Sequence, residues 1–212
     1  MNWLSYLSPQ TVLRTSSRYN RDIRINEERG RQKLLVNGAR ESGEYIEGLW
    51  KFAFSRFHLP KQAKNVLILG VAGGTVIRML SQLYPKARIT GVDIDEVMIN
   101  IGKTYFGLND ISQATLVCDD AKNFITKTKE RFDAVIVDVF IGPDVPDFVL
   151  TEDFQKNVKN ILSKTGGVMI NYLRQPGYEE KATKLEHVLQ NLYDEVRSVD
   201  RYNNRFFYAK IV

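Results

Sequence analysis

The chain has very little cysteine and histidine, and this shortage excludes several kinds of chemistry. Of its 212 residues one is a cysteine, Cys118, and two are histidines, His58 and His187. A single cysteine cannot form a disulfide within the chain, which fits a reducing compartment. One cysteine and two isolated histidines give neither zinc-ligand spacing nor a nucleophile–histidine triad, so we predict no metal site. Cys118 ends an apolar run, and we interpret it as a core residue.

Long apolar segments are missing as well. No run approaches the length of a membrane span, and Met1 to Leu7 lacks the basic start and the length of a signal peptide. We therefore expect a soluble, cytoplasmic protein with no membrane partner. The basic excess is small, with 30 Lys and Arg against 25 Asp and Glu, and acids interrupt the local cluster from Arg14 to Arg40. A solvated face explains that cluster best, which argues against a nucleic-acid partner.

The most informative stretch runs from Asn65 to Asp93. Val66 to Leu69 predict a strand buried on both faces, and the turn Gly70 to Gly74 follows it. The next segment predicts a helix. Its apolar face consists of Val76, Ile77, Leu80 and Leu83. Ala87 to Val92 then predict a second buried strand that ends at Asp93.

This strand, turn, helix and strand predict a nucleoside site. A turn without bulky side chains lets a ligand approach the backbone and the helix N-terminus, and an acid ending the next strand can bind ribose hydroxyls. The turn is not the dinucleotide fingerprint GxGxxG, because Ala72 and Thr75 replace its second and third glycines after Gly70. We therefore predict S-adenosylmethionine or its decarboxylated form as a co-substrate, with no tightly bound cofactor. The predicted contacts in this unit are Gly70, Ala72, Gly73, Gly74 and Asp93. An ordinary α/β turn with a surface acid is the alternative.

The pattern along the whole chain predicts an α/β fold in two parts. Residues 1–43 carry short alternating segments and the hairpin signal Asn37-Gly38, which predict a small antiparallel β subdomain. Residues 44–212 alternate helices and strands. We predict a Rossmann-like α/β fold with a mostly parallel sheet and an antiparallel C-terminal hairpin.

Two local features sharpen this prediction. The helix over Glu44 to Phe57 should bury one stripe of side chains. That stripe consists of Tyr45, Leu49, Phe52, Ala53 and Phe57. Gly166-Gly167 should turn the chain from a helix ending at Leu162 into a strand over Val168 to Leu173.

Three acids fall at the ends of successive predicted strands, namely Asp93, Asp120 and Asp138. The carboxyl ends of parallel strands form the ligand-binding edge of an open α/β sheet. We therefore predict that Asp93 binds the ribose, that Asp120 binds the adenine, and that Asp138 faces the reacting group. Each acid by itself could be a turn or N-cap residue.

The connection from Val139 to Leu150 is long and contains two prolines and two further acids, Asp144 and Asp147. A loop of this length at the ligand edge is a candidate lid, and its acids would suit a cationic amine. A rigid surface loop is the alternative.

Together these motifs resemble the spermidine synthase family of polyamine aminopropyltransferases. The resemblance runs from about Asp22 to the C-terminus and rests on the segments IRINEERGRQKLLVNG, VLILGVAGGTVIR, GVDIDEVMI, LVCDDAKNF and FDAVIVDVF. It implies a Rossmann-like, S-adenosylmethionine-dependent methyltransferase fold with a mostly parallel seven-stranded sheet. It also implies aminopropyl transfer from decarboxylated S-adenosylmethionine to a small amine such as putrescine, in a homodimer paired through the N-terminal hairpins. It implies that Asp138 is the base or charge stabiliser. The other contacts that it implies are Asp93 with ribose, Asp120 with adenine, and Tyr45 and Glu47 with the amine. Ala121 beside Asp120 is a further predicted nucleoside contact, and the loop acid Asp144 is a further predicted amine contact.

The amine pocket departs from the family pattern at three places. Gly73 stands where the family's glycine loop carries an acid for the donor's amine, and Ile141 stands where a second acid follows the catalytic strand. The family's Tyr-His-Glu signature is reduced to Tyr45 and Glu47 around Ile46. An S-adenosylmethionine-dependent methyltransferase and a non-catalytic family member are therefore alternatives, and a nucleic-acid methyltransferase comes last.

Overall fold

The computed structural model describes residues 3–57 and 59–212 of the protein. Met1, Asn2 and His58 lie outside the described residues, and with them the start of the Met1 to Leu7 segment and one of the two histidines. Trp3–Tyr6 form a short 3₁₀ helix. No helix among the described residues is long and apolar enough to cross a membrane.

A four-stranded antiparallel sheet comes first in the chain. Its strands, in the order β1-β2-β3-β4, are β1 (Gln10–Thr15), β2 (Ile23–Glu28), β3 (Arg31–Val36) and β4 (Ala39–Arg40). Asn37 and Gly38 both have positive φ and join β3 to β4, which confirms the hairpin predicted from Asn-Gly.

A seven-stranded sheet forms the larger part, in the order β10-β11-β9-β8-β5-β6-β7. Its strands are β5 (Asn65–Leu69), β6 (Arg88–Asp93), β7 (Ala114–Cys118), β8 (Phe132–Val137), β9 (Leu162–Leu173), β10 (Glu195–Arg201) and β11 (Asn204–Lys210). The α-helices of the described residues are α1 (Glu44–Arg56), α2 (Thr75–Leu83), α3 (Glu96–Tyr105), α4 (Ala121–Lys127), α5 (Glu152–Asn160) and α6 (Glu179–Leu192). Strands β5 to β9 run parallel, and β10 and β11 form an antiparallel hairpin beside β9. The predicted mostly parallel sheet with its C-terminal hairpin is confirmed.

Strand β5 is buried on both faces because successive side chains point to opposite sides of the sheet. Val66 and Ile68 pack in a cluster with α1 and α2, whereas Leu67 and Leu69 pack in a cluster with α5 and α6. All four side chains are fully buried. Burial of an aliphatic side chain contributes roughly 1.5–3 kcal/mol, so β5 anchors both layers of the core.

The small sheet packs on α3. Ile23, Ile25, Leu34 and Val36 form one cluster with Met98 and Ile101. Asp95 is the N-cap of α3 and accepts a hydrogen bond from Val97 N at 3.1 Å. Its other carboxylate oxygen accepts hydrogen bonds from the side chains of Ser17 and Asn20. These contacts fix the small sheet beside the ligand edge. The division into domains at residues 43 and 44 stays a prediction.

The structure corrects the prediction for β9. The strand begins at Leu162, so Gly166 and Gly167 lie within it and do not form a turn. Its pairing with β8 shifts between Phe132 and Ala134, where four residues of β9, Ser163 to Gly166, lie opposite the single residue Asp133 of β8. A Cβ on Gly166 would lie 2.9 Å from the carbonyl oxygen of Phe132, so these glycines allow a bulge against β8.

Three burial predictions were wrong. Cys118 is exposed because it ends β7, which is the edge strand of the large sheet. Leu83 is 53% exposed because Tyr84, four residues after Leu80, takes the buried position instead. Tyr45 is 40% exposed in the first turn of α1, where its ring stacks on Tyr202.

Candidate active site

The predicted ligand edge lies at the point where the order of strands reverses. After β7 the chain crosses to the other side of β5 and forms β8. Gly70 directly follows β5, and Asp138 directly follows β8 and donates its backbone N–H to Leu69 O at 2.8 Å. Ligands of open α/β sheets bind at such a reversal, beyond the carboxyl ends of the strands.

The turn after β5 requires glycine at its first position. Gly70 has φ of 93°, and a Cβ built there would lie 2.1 Å from the carbonyl oxygen of Asp138. Gly70 N also donates to Val92 O at 2.8 Å, so the turn touches the ends of β6 and β8 at once. A side chain at this position would force these strand ends apart.

The other glycines of the turn serve packing. A Cβ on Gly73 would lie 2.8 Å from the Cβ of Ser42, and one on Gly74 would overlap Leu108. Gly74 is the N-cap of α2. Gly73 and Gly74 do not line the cavities described below, whereas Gly70 and Ala72 do.

The carboxylate of Asp93 holds the turn in place. One oxygen accepts bonds from Val71 N at 2.8 Å and from Ala72 N at 3.3 Å, and the other accepts from Asp95 N at 2.9 Å. Burial raises the pKa of Asp93, and these three backbone donors oppose that rise. The acid therefore shapes the turn while it also lines a cavity.

Two cavities open at this edge. We name the first the strand-end cavity, and its lining includes Gly70, Ala72, Asp93, Asp120 and Ala121. Five of the seven residues predicted to contact the nucleoside are thus brought together, although their roles stay predictions. Asp120 is also the N-cap of α4, because its side chain accepts a hydrogen bond from Lys122 N at 2.7 Å.

The second cavity, which we name the α1 cavity, is lined by side chains of α1, α2 and the ends of β9 and β11. Its lining includes Tyr45, Leu49, Trp50, Thr75, Asn171 and Asn204. Asp138 lines both cavities and lies at their junction. A group transferred from a ligand in one cavity to a ligand in the other would pass this carboxylate.

Two side chains act directly on the carboxylate of Asp138. Asn171 Nδ2 donates to its Oδ1 at 2.8 Å, and the Trp50 side chain forms a second hydrogen bond. Asn204 Nδ2 donates in turn to Asn171 Oδ1 at 2.9 Å. Burial raises the pKa of Asp138 to about 6, and the bonds from Asn171 and Trp50 oppose the rise. A carboxylate with this pKa is ionised at neutral pH and can still accept a proton.

Two residues predicted at the amine site lie elsewhere. Glu47 pairs with Lys51 one helical turn away at 2.6 Å. Asp144 is exposed and accepts a hydrogen bond from Tyr178. Neither lines either cavity, so we leave both out of the site proposed below.

The predicted lid borders both cavities. Phe140 and Gly142 line both, and Phe148 lines the strand-end cavity. Asp144 and Asp147 tie the loop to α6 through Tyr178 and Lys181. The acids of this loop therefore bind α6 and do not face the cavities.

Sequence reasoning missed Glu41, Trp50 and Asn171, all of which line a cavity. Asn171 offered a signal, since it is a polar residue within the apolar strand sequence VMINYL. Trp50 was not included in the predicted apolar stripe of α1, although its side chain is almost fully buried. Glu41 follows the hairpin turn with no pattern that would distinguish it from a surface acid.

Solved structures with this architecture define the class of fold. A probable spermidine synthase from Corynebacterium glutamicum superimposes with a TM-score of 0.79 at 18% identity, over 93% of this chain and 79% of that one. Human methyltransferase-like protein 13, in complex with SAH, superimposes with a TM-score of 0.63 at 20% identity, over 79% of this chain and 80% of that one. The fold is therefore the predicted methyltransferase-type α/β fold.

Sequence similarity narrows the class to a family. Residues 48–206 match the model of the spermine/spermidine synthase domain, and the chain belongs to that family. It is 30% identical over 146 residues to a polyamine aminopropyltransferase of Saccharolobus islandicus, which covers 64% of this chain and 48% of that protein. The chain thus spans about half the length of the curated relatives it matches.

Proposed function

We propose that the protein is a polyamine aminopropyltransferase that uses decarboxylated S-adenosylmethionine and a small amine such as putrescine. The observation that carries this proposal is the half-buried Asp138 carboxylate at the junction of the two cavities. The strand-end cavity would hold the nucleoside of the donor, and the α1 cavity would hold the amine. Membership of the spermine/spermidine synthase family supports this assignment.

The reaction needs positioning and one proton acceptor. The amine nitrogen attacks the propyl carbon next to the sulfonium, a C–N bond forms, and the C–S bond breaks with its electron pair going to sulfur. The leaving group is neutral 5'-methylthioadenosine, and the new ammonium loses a proton to Asp138. Because the sulfonium is already reactive, orientation and a carboxylate supply most of the catalysis.

Titration calorimetry tests the nucleoside site directly. We expect the protein to bind decarboxylated S-adenosylmethionine and 5'-methylthioadenosine more tightly than S-adenosylmethionine. Incubation of the decarboxylated donor with putrescine should then release 5'-methylthioadenosine. Failure to bind any of the three nucleosides would contradict the proposal and favour a non-catalytic family member.

Methyl transfer is the second candidate. The likeness to human methyltransferase-like protein 13 and the lack of an acid at Gly73 favour it. A clear preference for S-adenosylmethionine in the same titration would replace aminopropyl transfer by methyl transfer. The homodimer and the cytoplasmic location stay predictions.

The hydrogen bond from Asn171 to Asp138 predicts how the reaction rate depends on pH. Since Asp138 must be ionised to accept a proton, kcat/KM for the amine, measured at saturating donor, should fall below a pH of about 6. Asn171→Ala removes a donor that lowers the pKa of Asp138, so the acidic limb of the profile should move to higher pH. Asn204→Ala leaves that donor in place and should leave the limb where it is. An unmoved limb in Asn171→Ala would contradict this role.

A further inference from the structure

Glu41 is an acid in the site without a partner. Its carboxylate forms no hydrogen bond or ion pair with any of the described residues, yet it lines both cavities beside Asp138. Burial raises the pKa of Glu41 to about 8, and the negative charges of Asp138 and Asp93 add to the rise. A half-buried acid beside two other acids is costly to ionise unless a cation joins them.

The basic residues nearby do not supply that cation. Lys122 lines the strand-end cavity, but its side chain pairs with Asp120 at 3.8 Å and lies over the ring of Phe148. Arg40 lines the α1 cavity, but its charge acts on Glu28. Burial, Asp138 and Asp93 are the influences on the pKa of Glu41. Without a cation Glu41 is protonated at neutral pH, and a positively charged ligand would favour its ionised form.

Local packing fixes Glu41 at this place. Its backbone N–H donates to Leu34 O at 3.0 Å, and the next residue, Ser42, accepts a hydrogen bond from Leu34 N at 2.9 Å. Ser42 is almost fully buried against Gly73, where a Cβ would meet it at 2.8 Å. Ser42 therefore leaves no room for an acidic side chain at position 73. Glu41, the residue before Ser42, places a carboxylate in the site instead.

We propose that Glu41 is the counterion of the primary ammonium group of the aminopropyl donor and thereby selects the decarboxylated nucleoside. This inference rests on the proposed function. A nucleoside whose side chain ends in an ammonium group alone gains a charge-assisted hydrogen bond to Glu41. S-adenosylmethionine also carries a carboxylate, which Glu41 and Asp138 would repel. Asp138 is left free to serve the acceptor amine.

The test compares Glu41→Gln with Glu44→Gln, a matched change on an exposed side chain three residues away that pairs with Arg31. Each protein is titrated with decarboxylated S-adenosylmethionine, S-adenosylmethionine and 5'-methylthioadenosine. In Glu41→Gln we expect affinity for the decarboxylated donor to fall about 10- to 100-fold, the range for a lost charge-assisted bond. Affinity for uncharged 5'-methylthioadenosine should change little, and Glu44→Gln should match the wild type for every probe.

The outcomes separate the inference from the proposed function. If Glu41→Gln keeps the wild-type ratio of affinities for the decarboxylated donor and 5'-methylthioadenosine, Glu41 is not the counterion and aminopropyl transfer still stands. If the wild type binds none of the nucleosides, both ideas fail. If the wild type prefers S-adenosylmethionine, methyl transfer replaces aminopropyl transfer and the inference is overturned with it.

The wild-type protein provides a second test that needs no variant. Between pH 6.5 and 8 the carboxyl of Glu41 must lose its proton to pair with an ammonium, so affinity for the decarboxylated donor should rise by about tenfold per pH unit. Asp138 is already ionised over most of this range because its pKa is about 6. Affinity for 5'-methylthioadenosine should not follow this rise. Equal pH dependence for the two ligands would overturn the inference.

Discussion

Replacing Asp138 with asparagine should lower kcat for aminopropyl transfer by about 10²- to 10⁴-fold, the usual contribution of a general base. Asparagine has the same shape as aspartate, but it cannot accept the proton that the attacking amine must lose. Its amide also meets the Asn171 amide, which donates to Asp138 Oδ1 in the wild type. The ligand-binding edge itself should persist, because the backbone N–H of residue 138 still donates to Leu69 O.

The measurement is kcat at saturating donor and amine, together with the affinity for 5'-methylthioadenosine. That affinity should stay within a few fold of the wild-type value. Asp147→Asn is the matched control, since Asp147 lies in the same loop region, is exposed and pairs with Lys181 at 2.8 Å. Wild-type turnover in Asp138→Asn would remove this residue from the mechanism. Loss of nucleoside binding together with turnover would instead indicate a damaged fold.

The second large effect is expected on stability, in Gly70→Ala. The added methyl group would stand 2.1 Å from the carbonyl oxygen of Asp138 and 2.7 Å from its carbonyl carbon, in a backbone with φ of 93°. Steric overlap and backbone strain each cost roughly 1–3 kcal/mol, so the free energy of unfolding should fall by about 2–6 kcal/mol. Because the overlap lies between β5 and β8, affinity for 5'-methylthioadenosine should fall as well.

Gly177→Ala separates the two causes. Gly177 has φ of 89°, close to that of Gly70, but a Cβ there would meet no atom within 4 Å. This variant therefore carries the backbone strain without the overlap, and it should be clearly more stable than Gly70→Ala. Urea unfolding of both variants gives the comparison. Equal losses would show that the contact with Asp138 relaxes and that strain alone explains the effect.

Local patterns in the sequence determined most of the fold. The apolar run of β5 has to be buried on both faces, and Asn37-Gly38 suits a turn with positive φ at both residues. Asp95 and Thr151 cap their helices through backbone N–H groups two or three residues away, so such caps can be recognised from neighbouring residues in the sequence. Gly70, Asp93 and Asp138 could be placed at one edge because parallel strands end together.

Tertiary structure alone decided which side chains complete the candidate site and which predicted ones stay outside. Glu41, Trp50 and Asn171 are far apart in sequence, and only the packing of the hairpin, α1 and β9 around Asp138 brings them to its cavities. Tertiary packing likewise pairs Glu47 with Lys51 and Asp144 with Tyr178, away from both cavities. The position of a strand in the sheet also decided which side chains are buried, and Cys118 is exposed because β7 is an edge strand. Charge, burial and cavity lining are properties of neighbours in space, whereas strands, turns and caps are properties of neighbours in sequence.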